Sequence, residues 1–373
     1  MPKIKVQWWQ RTVLLFVLWL TAINIFAVIS SNRVNLTTDT AYKWIWPDDF
    51  PVMRGTDLVD LHKRWDSNWY LNLAKDGYVY NGPDKLSNIV FFPLYPGLVW
   101  VFALILGFPL SGWFVSAAAL LGVLLLTYKY VKEHHPELDP EEVQFLLLIF
   151  PTAFFLNSIY TESLFLLMAM SSFYFALKRN FVVASLFGMA AALTRVTGLL
   201  LVIPMFIEYV LAWTKEKRGL KPDILALALI PAGTASFFLF HWIKFGSFTL
   251  FLDVQEDWGR GFKLAGDHFL RATPPASVNF YLDAAFIIFT LVCTLLIWKK
   301  FRLSYAVYTF LGILVPIVTG TFMSVGRYII VLFPIMLLLA SIKDSLFKKT
   351  WMLVSILLLG LYTLLFVANY WAG

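Results

Sequence analysis

Charge is what this 373-residue sequence has least of. Asp, Glu, Lys and Arg make up 14% of it against 60% hydrophobic residues, whereas a soluble domain carries about a quarter charged residues. A water-soluble globule is excluded, and the chain is predicted to be a polytopic membrane protein. It has one cysteine, Cys293, set in an apolar run; an intramolecular disulfide and a cysteine-based metal site are therefore excluded, and Cys293 is expected to pack as a small hydrophobe. There is no Gly-rich phosphate loop, low-complexity tract, soluble second domain or clear internal repeat. The net charge of +7 and the pI of 9.3 do not mark a nucleic-acid binder, because Lys and Arg are spread over short loops instead of forming one stripe interleaved with stacking aromatics. His134 and His135 are adjacent, so they cannot face one ligand sphere on a helix; they are expected to be solvated in a cytoplasmic loop.

What the sequence has in abundance is apolar runs long enough to cross a bilayer, roughly 20 residues each. Spans are predicted near 12–31, 112–131, 143–159, 162–178, 181–194, 197–213, 223–243, 280–298, 304–323, 328–342 and 351–370. Lys3, Lys5 and Arg11 lead into the first, which is too long for a signal-peptide core and is read as an anchor that stays. The stretch Ile89–Gly107 is apolar too, but Pro93 and Pro96 each remove a backbone donor there. If it does not cross, Lys129 and Lys132, Lys178 and Arg179, Lys215 to Lys221, Lys299 to Arg302, and Lys343 to Lys349 all share the side of the basic N-terminus. If it crosses, the positive-inside rule fails throughout. The expected fold is therefore an all-α polytopic bundle of about eleven transmembrane helices, one domain over 1–373, with its N-terminus inside. Juxtamembrane helices occupy a first outer loop at 32–111, and a second outer loop covers 244–279.

In that arrangement every polar interruption that the basic loops do not explain lies on the outer side: the 32–88 loop, Asn157–Ser163, Thr194–Gly198, the 244–279 loop and Ser324–Tyr328. Random interruptions would fall on both sides, so the bias marks a site. At its centre stands Arg64-Trp65-Asp66-Ser67-Asn68-Trp69-Tyr70. Leu58, Leu61, Trp65 and Trp69 recur at helical spacing and predict one amphipathic helix on the membrane surface. Asp57 and Asp60 fall on its solvated side and Asp66 at its edge, beside Trp65. A carboxylate so placed, partly withdrawn from water, suits a general base; a local salt bridge to Arg64 or Lys63 is the structural alternative. Glu162, after Tyr160 and Thr161 at a helix start, either serves the site or only complements the helix dipole. Arg195 and Arg327 interrupt otherwise uncharged runs and can offer a bidentate fork to a lipid-borne phosphate or snorkel to headgroups. Gln255, Trp258 and Arg260 combine an indole with hydroxyl-binding groups, as carbohydrate sites do.

Taken in order, Trp65-Asp66, Ala74-Lys75-Asp76-Gly77-Tyr78, Phe91-Phe92-Pro93-Leu94-Tyr95-Pro96, Phe150-Pro151 through Tyr160-Thr161-Glu162-Ser163, Thr194-Arg195 with Gly198, Gln255 with Trp258 and Arg260, and Gly326-Arg327-Tyr328 followed by Phe333-Pro334 resemble the PIG-V mannosyltransferase family. The resemblance spans most of the chain and implies an integral-membrane glycosyltransferase of GT-C type, here a short prokaryotic relative. Such an enzyme takes a sugar, mannose in that family, from a polyprenyl- or dolichyl-phosphate donor at the outer face of the plasma membrane, or at the lumenal face in a eukaryote. It passes the sugar with inversion to a hydroxyl of a lipid or glycan acceptor, without metal or other cofactor. By the same resemblance Asp66 is the catalytic base and Arg195 and Arg327 hold the donor phosphate. Arg64, Trp65, Tyr160, Glu162, Gln255, Trp258, Arg260 and Tyr328 are candidate substrate contacts. Membrane lipids are expected partners and nucleic acid is not. The competing class is a transporter or flippase, which would place its broken helices near the midplane and show related halves.

Overall fold

The structure, a computed structural model, describes residues 7–36, 52–214, 221–258, 278–319 and 324–372. Among them the regular elements are all helices: α1 (Trp8–Arg33), α2 (Leu58–Leu61), α3 (Asp66–Asp76), α4 (Leu94–Leu106), α5 (Phe108–His134), α6 (Pro140–Leu148), α7 (Glu162–Leu177), α8 (Phe181–Ala192), α9 (Val202–Thr214), α10 (Leu229–Phe245), α11 (Leu250–Asp257), α12 (Val278–Lys300), α13 (Leu303–Val318), α14 (Val325–Ile329), α15 (Pro334–Ala340) and α16 (Ser345–Val367). Among the described residues six segments are long and apolar enough to cross a bilayer unaided: α1, α5, 196–214, 222–245, 281–300 and α16. Among the described residues α4, α7, α8 and α13 are apolar helices too short to meet that length, and α6, α14 and α15 are shorter still. The protein is an integral, multi-pass membrane protein.

Ion pairs distinguish the two ends of the bundle. Arg11 with Glu141 (2.6 Å), Lys178 with Glu133 (3.0 Å), Lys348 with Glu142 (2.6 Å) and Arg302 with Glu208 (2.7 Å) gather the basic loops at one end. The polar breaks meet at the other. α4, within the Ile89–Gly107 stretch, packs against elements of that second end. Its Leu94 N–H donates to Leu193 O just past α8 (2.9 Å), its Tyr95 hydroxyl bonds Gly112 O (2.9 Å) and Ser116 (3.0 Å) early in α5, and Gly107 joins it directly to α5. Its thirteen residues rise about 20 Å, and Phe102 packs on Phe114 of α5 (5.0 Å).

Two glycines set the positions of the site arginines. A Cβ on Gly198 would lie 2.3 Å from the Ala191 carbonyl carbon, so only glycine lets the 196–201 turn fold over the end of α8 and fix Arg195 there. A Cβ on Gly326 would lie 2.5 Å from Thr152 Cγ2, while Gly326 O accepts from the Thr152 hydroxyl at 2.9 Å. That contact seats the five-residue α14 and with it Arg327. α7 carries apolar residues all round and buries most of its length, as a helix at the centre of a bundle does.

Four expectations are corrected. The 143–159 span is a nine-residue helix followed by irregular turns, because Pro151 ends the ladder. The 328–342 span is broken ahead of Pro334. The single amphipathic helix in the first loop is two, α2 and α3, separated at His62–Trp65, because Trp65 adopts φ +51°; Leu58 is exposed whereas Leu61 is buried. His135 is not solvated: it is buried, Nε2 lies 3.1 Å from the Tyr305 hydroxyl, and its ring stacks on Tyr130. The loop folds back under α13, and Tyr305 of α13 together with Tyr130 of α5 covers it. Cys293 is buried in α12, as expected.

Candidate active site

Asp66 opens α3, and the residue before it is held in an unusual backbone conformation. Trp65 at φ +51° is in a region costly for a bulky side chain, and the segment following α16 holds it there. Trp65 Nε1 donates to Tyr370 O (3.1 Å), its ring meets Trp371 edge to face (5.0 Å), and Met53 N–H donates to Ala368 O (3.2 Å). Arg64 acts on the same corner. Its guanidinium is buried and donates to the main-chain carbonyls of Val367 (3.1 Å), Lys63 (3.0 Å) and Asp60. Arg64 therefore pins α2 to the end of α16.

The Asp66 carboxylate does not pair with Arg64 or Lys63. Arg327 Nη1 donates to Asp66 Oδ2 at 2.6 Å, Arg327 Nε donates to Glu162 Oε1 at 2.7 Å, and Arg195 Nη1 donates to the same oxygen at 2.8 Å. Four residues from four separate stretches thus form one ionic chain, Asp66–Arg327–Glu162–Arg195, whose formal charges cancel. The side chain of Glu162 is 0% exposed, Arg327 7%, Arg195 13% and Asp66 21%, so the chain opens toward solvent at the Asp66 end. Aromatic faces carry both guanidiniums: Arg327 lies 4.5 Å from the Tyr160 ring centre, and Arg195 lies 5.1 Å from that of Tyr328. Glu162 also opens α7, so its position at the helix start and its place among the arginines coincide.

This chain lines a cavity of about 680 Å³. Trp69, Phe91 and Trp258 form one aromatic wall, with Trp258 edge-on to both of the others (5.2 and 5.5 Å) and its Nε1 donating to Ser87 O (3.3 Å). Gln255 and Phe251 on α11, Tyr328, and Thr194 to Thr197 also line it, and on the Asp66 side so do Met53, Asp60, Lys63, Asn369 and Trp371.

Of the residues singled out in the sequence, Asp66, Arg195, Arg327, Glu162, Trp65, Tyr160, Tyr328, Gln255 and Trp258 thus meet at or beside one cavity, together with Arg64. Arg260 lies outside the described residues. Tyr160 presents its ring, since its hydroxyl is taken up by Arg64 O (3.1 Å). Asp57 caps α2 through the N–H groups of Val59 (2.9 Å) and Asp60 (3.2 Å). Asp60, expected on a solvated face, reaches the cavity rim 3.5 Å from Arg64. Sequence reasoning missed Asn369 and Trp371, which carry no local signal. It also missed His62, buried between Asn24 (2.6 Å) and Asn157 (3.2 Å); Asn157 lies in one of the polar breaks and could have drawn attention to a buried partner. Burial, then the nearby Arg64 charge, lowers the His62 pKa to about 3, so it is neutral.

The fold is a helical bundle with short, broken helices converging on a polar cavity at one end. The crystal structure of ArnT from Cupriavidus metallidurans bound to undecaprenyl phosphate shares this fold, with a TM-score of 0.56 at 14% identity over 92% of this chain. The chain corresponds to 62% of ArnT's length. No protein-family profile matches the sequence, and neither does any curated protein.

Proposed function

We propose that this protein is a glycosyltransferase that moves a sugar from a polyprenyl-phosphate donor to a hydroxyl of a lipid or glycan acceptor at the outer membrane face. The observation that carries the reading is the Asp66–Arg327–Glu162–Arg195 chain at the wall of a cavity opposite the basic loops. The fold shared with a protein that binds undecaprenyl phosphate supports the same class of donor. Mannose as the sugar and inversion at the anomeric carbon rest on the resemblance to PIG-V.

Arg327 uses Nε and Nη1 within the chain and Arg195 uses Nη1. Among the described residues their other nitrogens make no hydrogen bond, so a phosphate can be held without breaking the existing pairs. Among the described residues Asp66 bonds through Oδ2 alone, which leaves Oδ1 to take the acceptor's proton. The acceptor oxygen bonds to the anomeric carbon as the bond from that carbon to phosphate oxygen breaks. The electron pair passes to the phosphate, where the two guanidiniums meet the growing charge. Trp258, Gln255 and Trp69 border the space for the sugar. Arg64 and Trp65 hold the corner that carries Asp66.

The test is incubation of detergent-purified protein with labelled polyprenyl-phosphate sugars and a panel of membrane-lipid acceptors. Transfer that persists in chelator is expected. Absence of transfer, with movement of the labelled lipid across a vesicle membrane instead, would replace this reading with a flippase.

A further inference from the structure

Tyr70 is a cavity residue that neither the ionic chain nor the aromatic wall uses. It follows Asp66 by four residues on α3, a spacing that puts two side chains on one helix face with about 5–6 Å between their Cβ atoms. Its ring is fixed on three sides, edge-on to Phe91 (4.9 Å), Tyr95 (5.3 Å) and Tyr160 (6.3 Å). The residue is only 6% exposed, yet it lines the cavity and its hydroxyl oxygen is not among the sealed polar atoms. No protein group bonds that hydroxyl among the described residues. By contrast Tyr95 and Tyr160, packed against it, each have their hydroxyl bonded within the protein. A buried phenol whose free hydroxyl opens on a cavity has a ligand or water as its partner.

Tyr70 shares the cavity lining with Asp66, Arg195 and Arg327, and the charges that act on its hydroxyl are those of Arg327, Asp66, Glu162 and Arg195, so the hydroxyl faces the ionic chain. Burial pushes its pKa up to about 12, and Arg327 is the charge that opposes this most. The group therefore stays protonated and can donate. As a neutral donor it adds nothing to the balanced charge of the ionic chain.

We infer that the Tyr70 hydroxyl donates a hydrogen bond to a phosphate oxygen of the lipid-linked donor, as a third contact beside Arg195 and Arg327. The inference rests on the glycosyltransferase reading above. When the bond between the anomeric carbon and phosphate oxygen breaks, its electron pair moves onto the phosphate and the contact shortens. Tyr70 keeps its proton throughout, and the acceptor's proton goes to Asp66. Such a donor acts more strongly on the departing phosphate than on the bound substrate.

Tyr70→Phe tests this cleanly, since it keeps the ring and all three ring contacts and removes only the oxygen. The variant should melt at the parent's temperature or above, because no internal hydrogen bond is lost. Its affinity for a polyprenyl phosphate lacking sugar should fall about 10-fold, and kcat/KM for the sugar donor should fall about 10- to 100-fold, the scale of a hydrogen bond to a charged group. Unchanged affinity for the polyprenyl phosphate overturns the assignment, even if transfer slows, because the hydroxyl would then serve the sugar or the acceptor. A lowered melting temperature with proportional loss toward both substrates also overturns it, by making the hydroxyl structural. A parent protein that binds polyprenyl phosphate but transfers no sugar removes the glycosyltransferase reading and leaves Tyr70 judged by the binding ratio alone; one that binds no polyprenyl phosphate overturns both.

Discussion

Glu162→Gln is the substitution that the geometry makes most severe for stability. The carboxylate is fully buried and one oxygen, Oε1, accepts from Arg195 at 2.8 Å and from Arg327 at 2.7 Å. Glutamine has nearly the same shape, so the change removes charge and little else. Two unit charges about 4 Å apart attract by about 4 kcal/mol at an effective dielectric of about 20, and Glu162 has two such partners. Against that gross loss of about 8 kcal/mol stands the cost of keeping a carboxylate out of water, several kcal/mol. The net falls near the about 3–5 kcal/mol typical of breaking a buried pair. The ionic chain goes from neutral to one excess positive charge, carried by guanidiniums that are 7% and 13% exposed. A second substitution, Arg195→Gln, restores neutrality and should return roughly half of the loss, as coupled neighbours do. Thermal unfolding of the single and double variants in detergent reads both effects. If Glu162→Gln melts within a degree of the parent, or if the double variant shows simple additivity, Glu162 is not the counter-ion of the two arginines.

Asp66→Asn should cut transfer by about 10²–10⁴ in protein that still binds donor, whereas Asp57→Asn should leave the rate within a few-fold, since Asp57 caps a four-residue helix; the reverse order in a transfer assay identifies the wrong carboxylate. His62 has a folded-state pKa lowered to about 3 against about 6.5 unfolded, so below pH 6.5 the unfolded chain takes up the proton first and stability falls as pH falls. About 2 kcal/mol is lost by pH 5, and His62→Gln should flatten that part of a melting-temperature profile; an equal slope in parent and variant would show that another group is responsible. Cysteines introduced at the exposed positions Asp84 and Leu110 should be labelled by an impermeant maleimide from one side, with buried Cys293 giving little background. Labelling from opposite sides would mean that α4 crosses.

The convergence was legible because membrane sequences tolerate few polar residues. Asp66, Glu162, Arg195 and Arg327 stand out against an apolar background, and lysine distribution brings all four to one side before any coordinates are known. Which carboxylate faces which arginine was not legible, since Asp66 and Arg327 are 261 residues apart and local spacing offers only Arg64 or Lys63 as an alternative partner. Arg64 itself was assigned to substrate, yet three of its hydrogen bonds go to main-chain carbonyls, a use that leaves no periodic trace. The break between α2 and α3 escaped for a related reason. Nothing in Lys63-Arg64-Trp65 disfavours a continuous helix, and the positive φ at Trp65 is imposed from the far end of the chain. The burial of His135 leaves no mark in the sequence, because a polar residue in a loop reads as exposed whereas Tyr305 and Tyr130 provide a buried partner and cover.

The clamp on the Trp65–Asp66 corner also bears on biosynthesis. The residues that hold Trp65 are made some 305 positions after it, so the nascent chain can insert every earlier helix while Asp66 remains unpositioned. Full activity should therefore appear only late in membrane assembly, after Val367 to Trp371 have docked. A tag fused immediately after Trp371 would load that same junction, whereas one placed before Trp8, at the end that carries the basic loops, would leave it untouched.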